Sequence, residues 1–204
     1  MSIQDTYKTI SQPSQGIYKD KGSKFIAFAY AVYSENEIKD IQAKLRKDYH
    51  DARHHCYAYR LGYKKEIFRT NDDGEPSNSA GKPILGQIQS HDLTNVLIVV
   101  VRYFGGVLLG VGGLINAYRT AAAEAIKNTN IIEKTVNDIW QINYEYQAMP
   151  DVMKIIKDDN IPQLETIFEI NCTIKISVRK SLIMGVIDKL EKIETVKCNY
   201  LETI

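Results

Sequence analysis

Apolar residues along the first two thirds of the chain occur in short runs with strand-like or helix-like spacing. Residues 24–32 form an apolar, aromatic run, residues 54–61 alternate, and residues 96–103 are almost continuously apolar. Such runs of four to nine residues indicate buried or half-buried strands. Residues 66–70 add a short further strand. The spacing therefore predicts a sheet of at least four strands in this part of the chain.

Helical spacing separates these strands. Residues 35–49 place Ile38, Ile41 and Leu45 on one helical face, and Ser34 is positioned as an N-cap. Residues 84–90 indicate a short helix, and the alanine-rich residues 114–127 a longer one. Residues 71–83 combine Gly, Pro, Asn and Asp, so they predict a loop.

The pattern changes after residue 131. Strands are predicted over residues 138–146, 164–169, 172–179 and 195–202, with helices over residues 150–158 and 181–193, the second capped by Ser181. The order β-α-β-β-α-β is that of a ferredoxin-like split βαβ unit. The chain is therefore predicted to be an α+β protein with two domains, residues 1–132 and residues 133–204.

Composition and charge exclude some classes of protein. The chain has 204 residues, of which 44% are hydrophobic and 25% charged, which is typical of a soluble globular protein. A formal net charge of +1 excludes a strongly basic, histone-like protein. Residues 1–130 nevertheless hold 17 basic against 13 acidic residues, and residues 131–204 hold 9 against 12. This asymmetry favours two domains with different roles.

Cysteine use and the N-terminus predict a cytoplasmic location. Cys56, Cys172 and Cys198 have no C-x-x-C spacing, and an odd number cannot pair fully, which indicates reduced thiols. No secretory pattern opens the chain, and no apolar run reaches the roughly 18 residues of a membrane span. Neither a membrane nor a cofactor is expected as a partner.

A glycine-dense segment between a buried strand and an alanine-rich helix is the strongest candidate for a working surface. Five of the 12 glycines fall in it: Gly105, Gly106, Gly110, Gly112 and Gly113. Free N–H groups at a helix start favour an anion, although tight strand–helix packing also explains some of these glycines. The segment lacks the Gly-Lys-Ser/Thr of a P-loop and the third glycine of a dinucleotide site.

Three residues flank this segment with chemistry suited to nucleic acid. Arg102 and Arg119 can grip phosphate, and Tyr103 can stack on a base. For either arginine taken alone, a structural salt bridge is the alternative interpretation.

The loop over residues 71–83 carries acidic groups in a turn-rich setting. Asp72, Asp73 and Glu75 are candidate ligands for a hard cation, but they lack the alternating spacing of a calcium loop. Turn formation is the favoured interpretation, with Ser79 as a possible cap for the next helix. Because Lys82 follows at the helix start, the loop is also predicted to border a binding face. No metal is expected.

Adjacent histidines open the strand over residues 54–61. His54 and His55 must point to opposite sides of a sheet, so they are not expected to share a metal. Cys56 is interpreted as a core thiol rather than a nucleophile, for the same geometric reason. One of the two histidines is expected to face the glycine-dense segment and the acidic loop.

Three segments in this order resemble the Impact/YigZ family. They are Arg53-His-His-Cys-Tyr-Ala-Tyr59, Asp72-Asp-Gly-Glu-Pro-Ser77 with Ala80-Gly-Lys-Pro-Ile-Leu85, and Val100-Val-Arg-Tyr-Phe-Gly-Gly106 continuing through Leu114 to Ala117-Tyr118. Lys21-Gly-Ser-Lys-Phe-Ile26 also resembles a family motif. The resemblance covers roughly residues 15–128.

The resemblance implies a fold for each domain and a role in translation. The first domain would resemble domain 2 of a small-subunit ribosomal protein, domain IV of elongation factor G and the GHMP kinases. The second would resemble the C-terminal ferredoxin-like domain of elongation factor G. Eukaryotic family members regulate translation under nutrient stress, so RNA, the ribosome or a translation-associated protein is the implied partner.

This sequence departs from its relatives at three places. Asn78-Ser79 replaces a common Gly-Thr, Asn116 stands where many relatives have a basic residue, and Leu108 stands where some have lysine. The last two departures remove positive charge beside the glycines, which weakens the expectation of phosphate binding.

Three functions therefore remain open from the sequence. The first is a non-catalytic protein that binds RNA or the ribosome in translation control. The second is an enzyme acting on a phosphorylated small molecule or nucleotide, with Asp72 or Asp73 as base or magnesium ligand. The third is a protein–protein module that offers its glycine backbone to a partner.

Overall fold

The computed structural model describes residues 5–204, which divide into two compact units. The larger unit is Tyr7–Lys134. The smaller one is Thr135–Ile204 together with Asp5 and Thr6. The protein is α+β, and its main sheets are antiparallel.

The larger unit is built on a five-stranded sheet. Its strands are β2 (Ser14–Asp20), β3 (Ser23–Ala31), β4 (His54–Leu61), β5 (Ile67–Asn71) and β6 (Val96–Tyr103), in the spatial order β2-β3-β6-β4-β5. The most apolar strand, β6, is the central one. The helices are α1 (Glu35–Asp48), α2 (Gly81–Ser90) and α3 (Gly110–Lys127).

Each face of this sheet is covered by its own helices. Phe25, Cys56 and Val100 belong to the core cluster that contains α2 and α3. Their neighbours Ile26, Tyr57 and Val101 belong to the cluster that contains Ile38 and Leu45 of α1. Alternation of side chains along the strands therefore explains why β3, β4 and β6 have few polar positions: both faces are buried.

The helix nearest the glycines packs very closely on the sheet. A methyl group on Gly16 of β2 would overlap the backbone of α3 at Ala121, Glu124 and Ala125. The alanine-rich side of α3 has the same cause, because Ala117, Ala121, Ala122 and Ala125 are fully buried. Small residues on both elements let the two backbones approach.

Three strands are absent from the sequence interpretation. β1 (Thr6–Ile10) and β7 (Ile131–Thr135) form a two-stranded sheet, and β2 occupies one edge of the large sheet. The predicted start of α3 at residue 114 is also wrong, because the helix begins at Gly110 and includes three of the five glycines. α2 likewise begins at Gly81 rather than at residue 84.

The smaller unit has the element order β-α-β-β-α-β. Its strands are β8 (Asn137–Glu145), β9 (Gln163–Ile167), β10 (Asn171–Arg179) and β11 (Lys197–Thr203), in the spatial order β11-β8-β10-β9. The helices α4 (Met149–Asp158) and α5 (Ile183–Leu190) pack with Ile142, Ile174 and Ile176 in one core.

The predicted cap of α5 is wrong. The helix begins at Ile183 after Leu182, without a side-chain cap. The Ser181 hydroxyl instead hydrogen-bonds Asp5, to which Arg179 also donates from Nε at 2.5 Å and from Nη2 at 3.1 Å. These bonds lower the pKa of Asp5 to about 2 and attach the N-terminal end of the chain to this unit.

Within residues 5–204, no helix is both long and apolar enough to cross a membrane.

Candidate functional site

One end of the large sheet brings together residues from all three family-like motifs. Phe25 of β3 pairs with Arg102 of β6, and Arg102 pairs with His54 of β4. These three side chains form a row on the side of the sheet that carries α2 and α3. The loop after β5 contacts this row through Glu75, and α3 contacts it through Tyr118, whose ring centroid lies 5.1 Å from that of Phe25.

A buried ion pair lies at the centre of the row. Arg102 Nη1 is 2.6 Å from Glu75 Oε1, and the two side chains are only 6% and 4% exposed. The same carboxylate oxygen accepts a hydrogen bond from the Tyr118 hydroxyl at 2.7 Å. The pair joins the acidic loop, β6 and α3 at one point.

Two aromatic rings hold the Arg102 guanidinium from both neighbouring segments. Its Cζ lies 5.4 Å from the Phe25 ring centroid and 5.6 Å from that of Phe104. Cation–π contacts of this kind add to the ion pair in a desolvated site. Arg102 is therefore a structural centre of the site, and its salt bridge corresponds to the alternative that the sequence left open.

His54 borders a small cavity beside the ion pair. Its Nδ1 lies 2.8 Å from the Asp73 carbonyl, which can only accept, so Nδ1 carries the proton. Nε2 lies 3.9 Å from Glu75 Oε1. The cavity holds about 220 Å³ and is lined by Arg53, His54, Gly74, Glu75, Arg102, Phe104 and Leu108. His54 is thus the histidine that faces the glycine-dense segment and the acidic loop.

Asp72 serves as the cap of α2. Its Oδ1 accepts from the backbone N–H groups of Ala80 and Gly81 at 3.0 and 2.8 Å, and its Oδ2 accepts from Asn78 at 2.8 Å. The predicted cap Ser79 instead donates to the Pro76 carbonyl. The Asp72 carboxylate, which precedes Gly81 by nine residues, accepts from more N–H groups here than a single serine hydroxyl can.

The three acids of the loop have separate partners. Asp73 Oδ1 binds Arg46 at 3.0 Å, and Asp73 Oδ2 accepts from the His55 backbone at 2.6 Å. Asp72 caps a helix, and Glu75 pairs with Arg102. Among the described residues, no group of three His, Cys, Asp or Glu side chains is arranged to hold a metal ion.

Cys56 lies buried between these groups. Its Sγ is 3.0 Å from the Asp72 carbonyl and 3.3 Å from the Tyr118 hydroxyl. Burial raises the pKa of the thiol far above its usual range, and nearby carboxylates add to this effect. The thiolate that a nucleophile requires is therefore disfavoured.

His55 points to the opposite side, towards α1. Burial lowers its pKa below 6.5, and the nearby Arg46 acts in the same direction. The folded protein therefore binds fewer protons than the unfolded chain just below pH 6.5, and folding stability is lost as the pH falls.

We expect the melting temperature to fall between pH 7.5 and 5.5, and to fall less in His55→Gln, as measured by circular dichroism. A matched His91→Gln variant of an exposed histidine should retain the full slope; equal slopes in all three proteins would contradict the prediction.

The five glycines have different environments. A methyl group on Gly105 would overlap the backbone of Gly22 and Ser23 in the β2–β3 turn. Gly106 and Gly110 have φ values of +87° and +72°, which favour glycine. A methyl group on Gly113 would crowd the side chain of Leu109, whereas Gly112 has an ordinary helical backbone and open space where a side chain would lie. Packing within the chain therefore explains Gly105 but not Gly112.

Apolar side chains surround these glycines at the surface. Phe104, Val107, Leu108 and Val111 are 44%, 51%, 82% and 53% exposed. We call residues 104–113 the glycine-rich face. The glycines and arginines alone did not indicate this property, which lies in the apolar residues between them.

The other predicted site residues occupy different positions. Arg119 is exposed on α3, while Tyr103 points to the α1 side and donates to Asp51 at 2.8 Å. Lys82 is exposed in the first turn of α2. No hydrogen bond or ion pair of residues 5–204 links Lys82 or Tyr103 to the glycine-rich face. Tyr118, which the sequence analysis named only within a motif, is part of the buried cluster.

Comparison with known proteins supports the family resemblance that the motifs indicate. An "IMPACT family member" of Haemophilus influenzae is 30% identical over 83% of this chain and 79% of its own length. YvyE, an IMPACT family member of Bacillus subtilis, is 34% identical over 69% of this chain, and the match spans 65% of YvyE, slightly less than two thirds.

Solved structures extend the comparison to the whole chain. A crystal structure described as that of a hypothetical protein has 24% identity and a TM-score of 0.76, and covers 98% of this chain and 99% of its own. Its fold is therefore shared. The structure of Yih1, a two-domain translational regulator, is 29% identical over 60% of this chain and 47% of its own, with a TM-score of 0.34.

The family model agrees with these relatives. The Impact N-terminal domain matches residues 21–126, which contain the buried ion pair and the glycine-rich face. This chain belongs to the IMPACT family, as a member of the YigZ/YvyE type.

Proposed function

We propose that this protein is a non-catalytic binding protein in the control of translation, and that its glycine-rich face receives a protein partner. The observation that carries the proposal is the exposure of Val107, Leu108 and Val111 around glycines whose backbone is open to solvent. An apolar patch of this kind is typical of a surface that another protein covers.

The arrangement of polar groups supports binding over catalysis. Glu75 already accepts from Arg102 and Tyr118, so it is poorly placed to act as a general base. Burial raises the pKa of Tyr118 and of Cys56 far above neutrality, so both remain protonated. Asp72 and Asp73, the candidate base or magnesium ligands of an enzyme, have structural partners instead.

The same residues favour a protein over a nucleic acid. Arg102, the candidate phosphate ligand, directs its guanidinium to a buried carboxylate and two aromatic rings. Leu108 and Val111 occupy the surface where a phosphate backbone would approach. Apolar side chains gain free energy when a protein partner removes them from water, but they offer nothing to a phosphate.

Likeness to translation factors adds to the proposal. The antiparallel order β11-β8-β10-β9 is the one expected of a ferredoxin-like fold, so we infer that the smaller unit has that fold. We infer also that the larger unit resembles domain IV of elongation factor G, as the family resemblance implies. Fold alone does not determine function, so these likenesses support the proposal without carrying it.

A photo-cross-linking experiment tests the proposal. Benzoylphenylalanine replaces Leu108 in the full chain, and adducts formed in cells of the source organism are identified by mass spectrometry. We expect a nuclease-resistant adduct with a ribosomal protein or a translation factor. The matched control places the same group at Ile170, which is 87% exposed in the smaller unit. A nuclease-sensitive adduct would favour RNA, and the absence of any adduct specific to position 108 would overturn the proposal.

A further inference from the structure

We propose that the segment which the glycine-rich face receives is acidic as well as apolar, with carboxylates on either side of its apolar residues. This inference rests on the proposed function and specifies the chemistry of the partner. It follows from the charges around the face, their lack of partners within the chain, and the open backbone at its centre.

Negative charge is missing from a long part of the chain around the face. Residues 93–123 include no Asp or Glu, although they include Arg102 and Arg119. Glu75 is the acid that lines the adjoining cavity, and Arg102 already neutralises it. Among the residues that line the cavity beside the face, Arg53 is therefore the charged group left without a counterion.

Arg53 provides positive charge at the cavity. It lines the same cavity as Phe104 and Leu108, so its side chain borders the apolar part of the face. Its backbone N–H is bound to Arg102, which fixes the start of β4, while its side chain is exposed. No ion pair to Arg53 occurs within residues 5–204. A carboxylate beside Leu108 would meet this unpaired guanidinium.

Arg119 provides positive charge on the helix side. It follows Gly112 by seven residues, which is two helical turns, so the two lie on the same stripe of α3. The distance along the helix is about 10 Å. Asn116 lies between them on this stripe, and all three are exposed. Among the described residues, none forms an ion pair with Arg119.

Lys21 adds a third positive group near Gly105. The turn that contains Lys21 and Gly22 lies against Gly105, where a methyl group would overlap the Gly22 backbone. Lys21 is exposed, and the part of the chain that the structure describes offers it no ion pair. Three unpaired cations thus border one apolar surface, which is the complement of an acidic, apolar segment.

The open glycine at the centre indicates how closely such a segment approaches. Gly112 meets no heavy atom within 4 Å at the position of a side chain, and its φ is not in the positive range. Alanine would be more favourable than glycine at such a helical position. A partner whose chain passes directly over Gly112 accounts for the absence of a side chain there.

RNA would use the same cations differently. A phosphate backbone would engage Arg53, Arg119 and Lys21 but would leave Leu108 and Val111 without an apolar contact. Binding of RNA would therefore depend on the cations and be indifferent to Leu108→Ser. Dependence on both kinds of residue is expected only of an acidic, apolar protein segment.

The partner peptide that cross-links at position 108 provides the probe. This peptide is sequenced and then synthesised with its native flanking residues. Fluorescence anisotropy measures its Kd for the full chain at two salt concentrations. We expect a net-negative peptide whose affinity falls at least about tenfold in Arg53→Glu, Arg119→Glu and Leu108→Ser. Lys39→Glu on the exposed side of α1 is the charge control and should retain the affinity. Affinity should also fall with rising salt.

The outcomes separate this inference from the proposed function. A cross-linked peptide that is neutral or basic, or whose affinity is unchanged by Arg53→Glu and Arg119→Glu, overturns the acidic partner but leaves the protein-binding face intact. A nuclease-sensitive adduct overturns both. A large side chain at Gly112, in the centre of the glycine-rich face, gives an independent test. Gly112→Leu should abolish binding of the peptide while leaving the melting temperature of the protein within a few degrees of its original value.

Discussion

Glu75→Gln is expected to lower the free energy of unfolding of the larger unit by about 3–5 kcal/mol, because it leaves a buried arginine charge without its counterion. Arg102 is only 6% exposed, so water cannot replace the lost carboxylate. The single tryptophan, Trp140, belongs to the smaller unit and does not report this change. Hydrogen exchange of the β6 amides, followed by mass spectrometry, measures it directly.

A double variant distinguishes loss of charge balance from loss of shape. Replacing both partners, as Glu75→Leu with Arg102→Leu, removes the buried charges together, and we expect it to be more stable than Glu75→Gln. Glu124→Gln on α3, whose half-buried carboxylate pairs with the exposed Lys127, is the matched single change and should have little effect. A loss below about 1 kcal/mol in Glu75→Gln would contradict the central role of the ion pair.

Gly105→Ala is expected to destabilise the larger unit by about 1–3 kcal/mol or more. The added methyl group would overlap the backbone of the β2–β3 turn, and neither backbone can move without disturbing the sheet. Urea denaturation followed by circular dichroism measures the loss, provided that the transitions of the two units are fitted separately.

Gly112→Ala is the matched control for this variant, seven residues along the chain. It meets open space inside a helix, so we expect it to be neutral or to stabilise the protein by up to about 1 kcal/mol. Equal losses in the two variants would contradict the distinction between a glycine required by packing and one that keeps a surface open.

The predicted strands and helices depended on strong apolar patterns. The strand over Val96–Tyr103 was predicted with its observed bounds, because a run of buried β-branched residues leaves little choice. Ser34 does cap α1, since its side chain accepts from the Glu37 backbone N–H. Where spacing and capping chemistry agreed, the sequence was sufficient.

The missed strands had weak patterns. β2 has the sequence Ser-Gln-Gly-Ile-Tyr-Lys-Asp, which lacks apolar alternation. It is a strand through its pairing with β3, and its Gly16 packs closely against α3. The start of α3 was missed for a related reason. Glycines are poor helix formers, but the packing of Leu114, Ala117 and Tyr118 continues the helix back through them.

The sequence indicated several members of the candidate site but not how they pair. Residue types and order brought His54, Glu75 and Arg102 under consideration, yet no spacing rule states that residues 27 apart in sequence form a buried ion pair. Cross-strand register and the path of the acidic loop decide such pairs, and both are tertiary properties. The exposure of Leu108 could not be predicted either, because an apolar residue in a loop can lie in the core or at the surface.

The bonds from Arg179 to Asp5 have a consequence for biosynthesis. Asp5 emerges from the ribosome early, but its partner follows 174 residues later. Tyr7–Lys134 contains its own sheet and helices, so it can complete its core while the rest of the chain is still being translated. Asp5 therefore remains without these bonds until Arg179 has been translated, and the smaller unit gains them only after the core of Tyr7–Lys134 can already have formed.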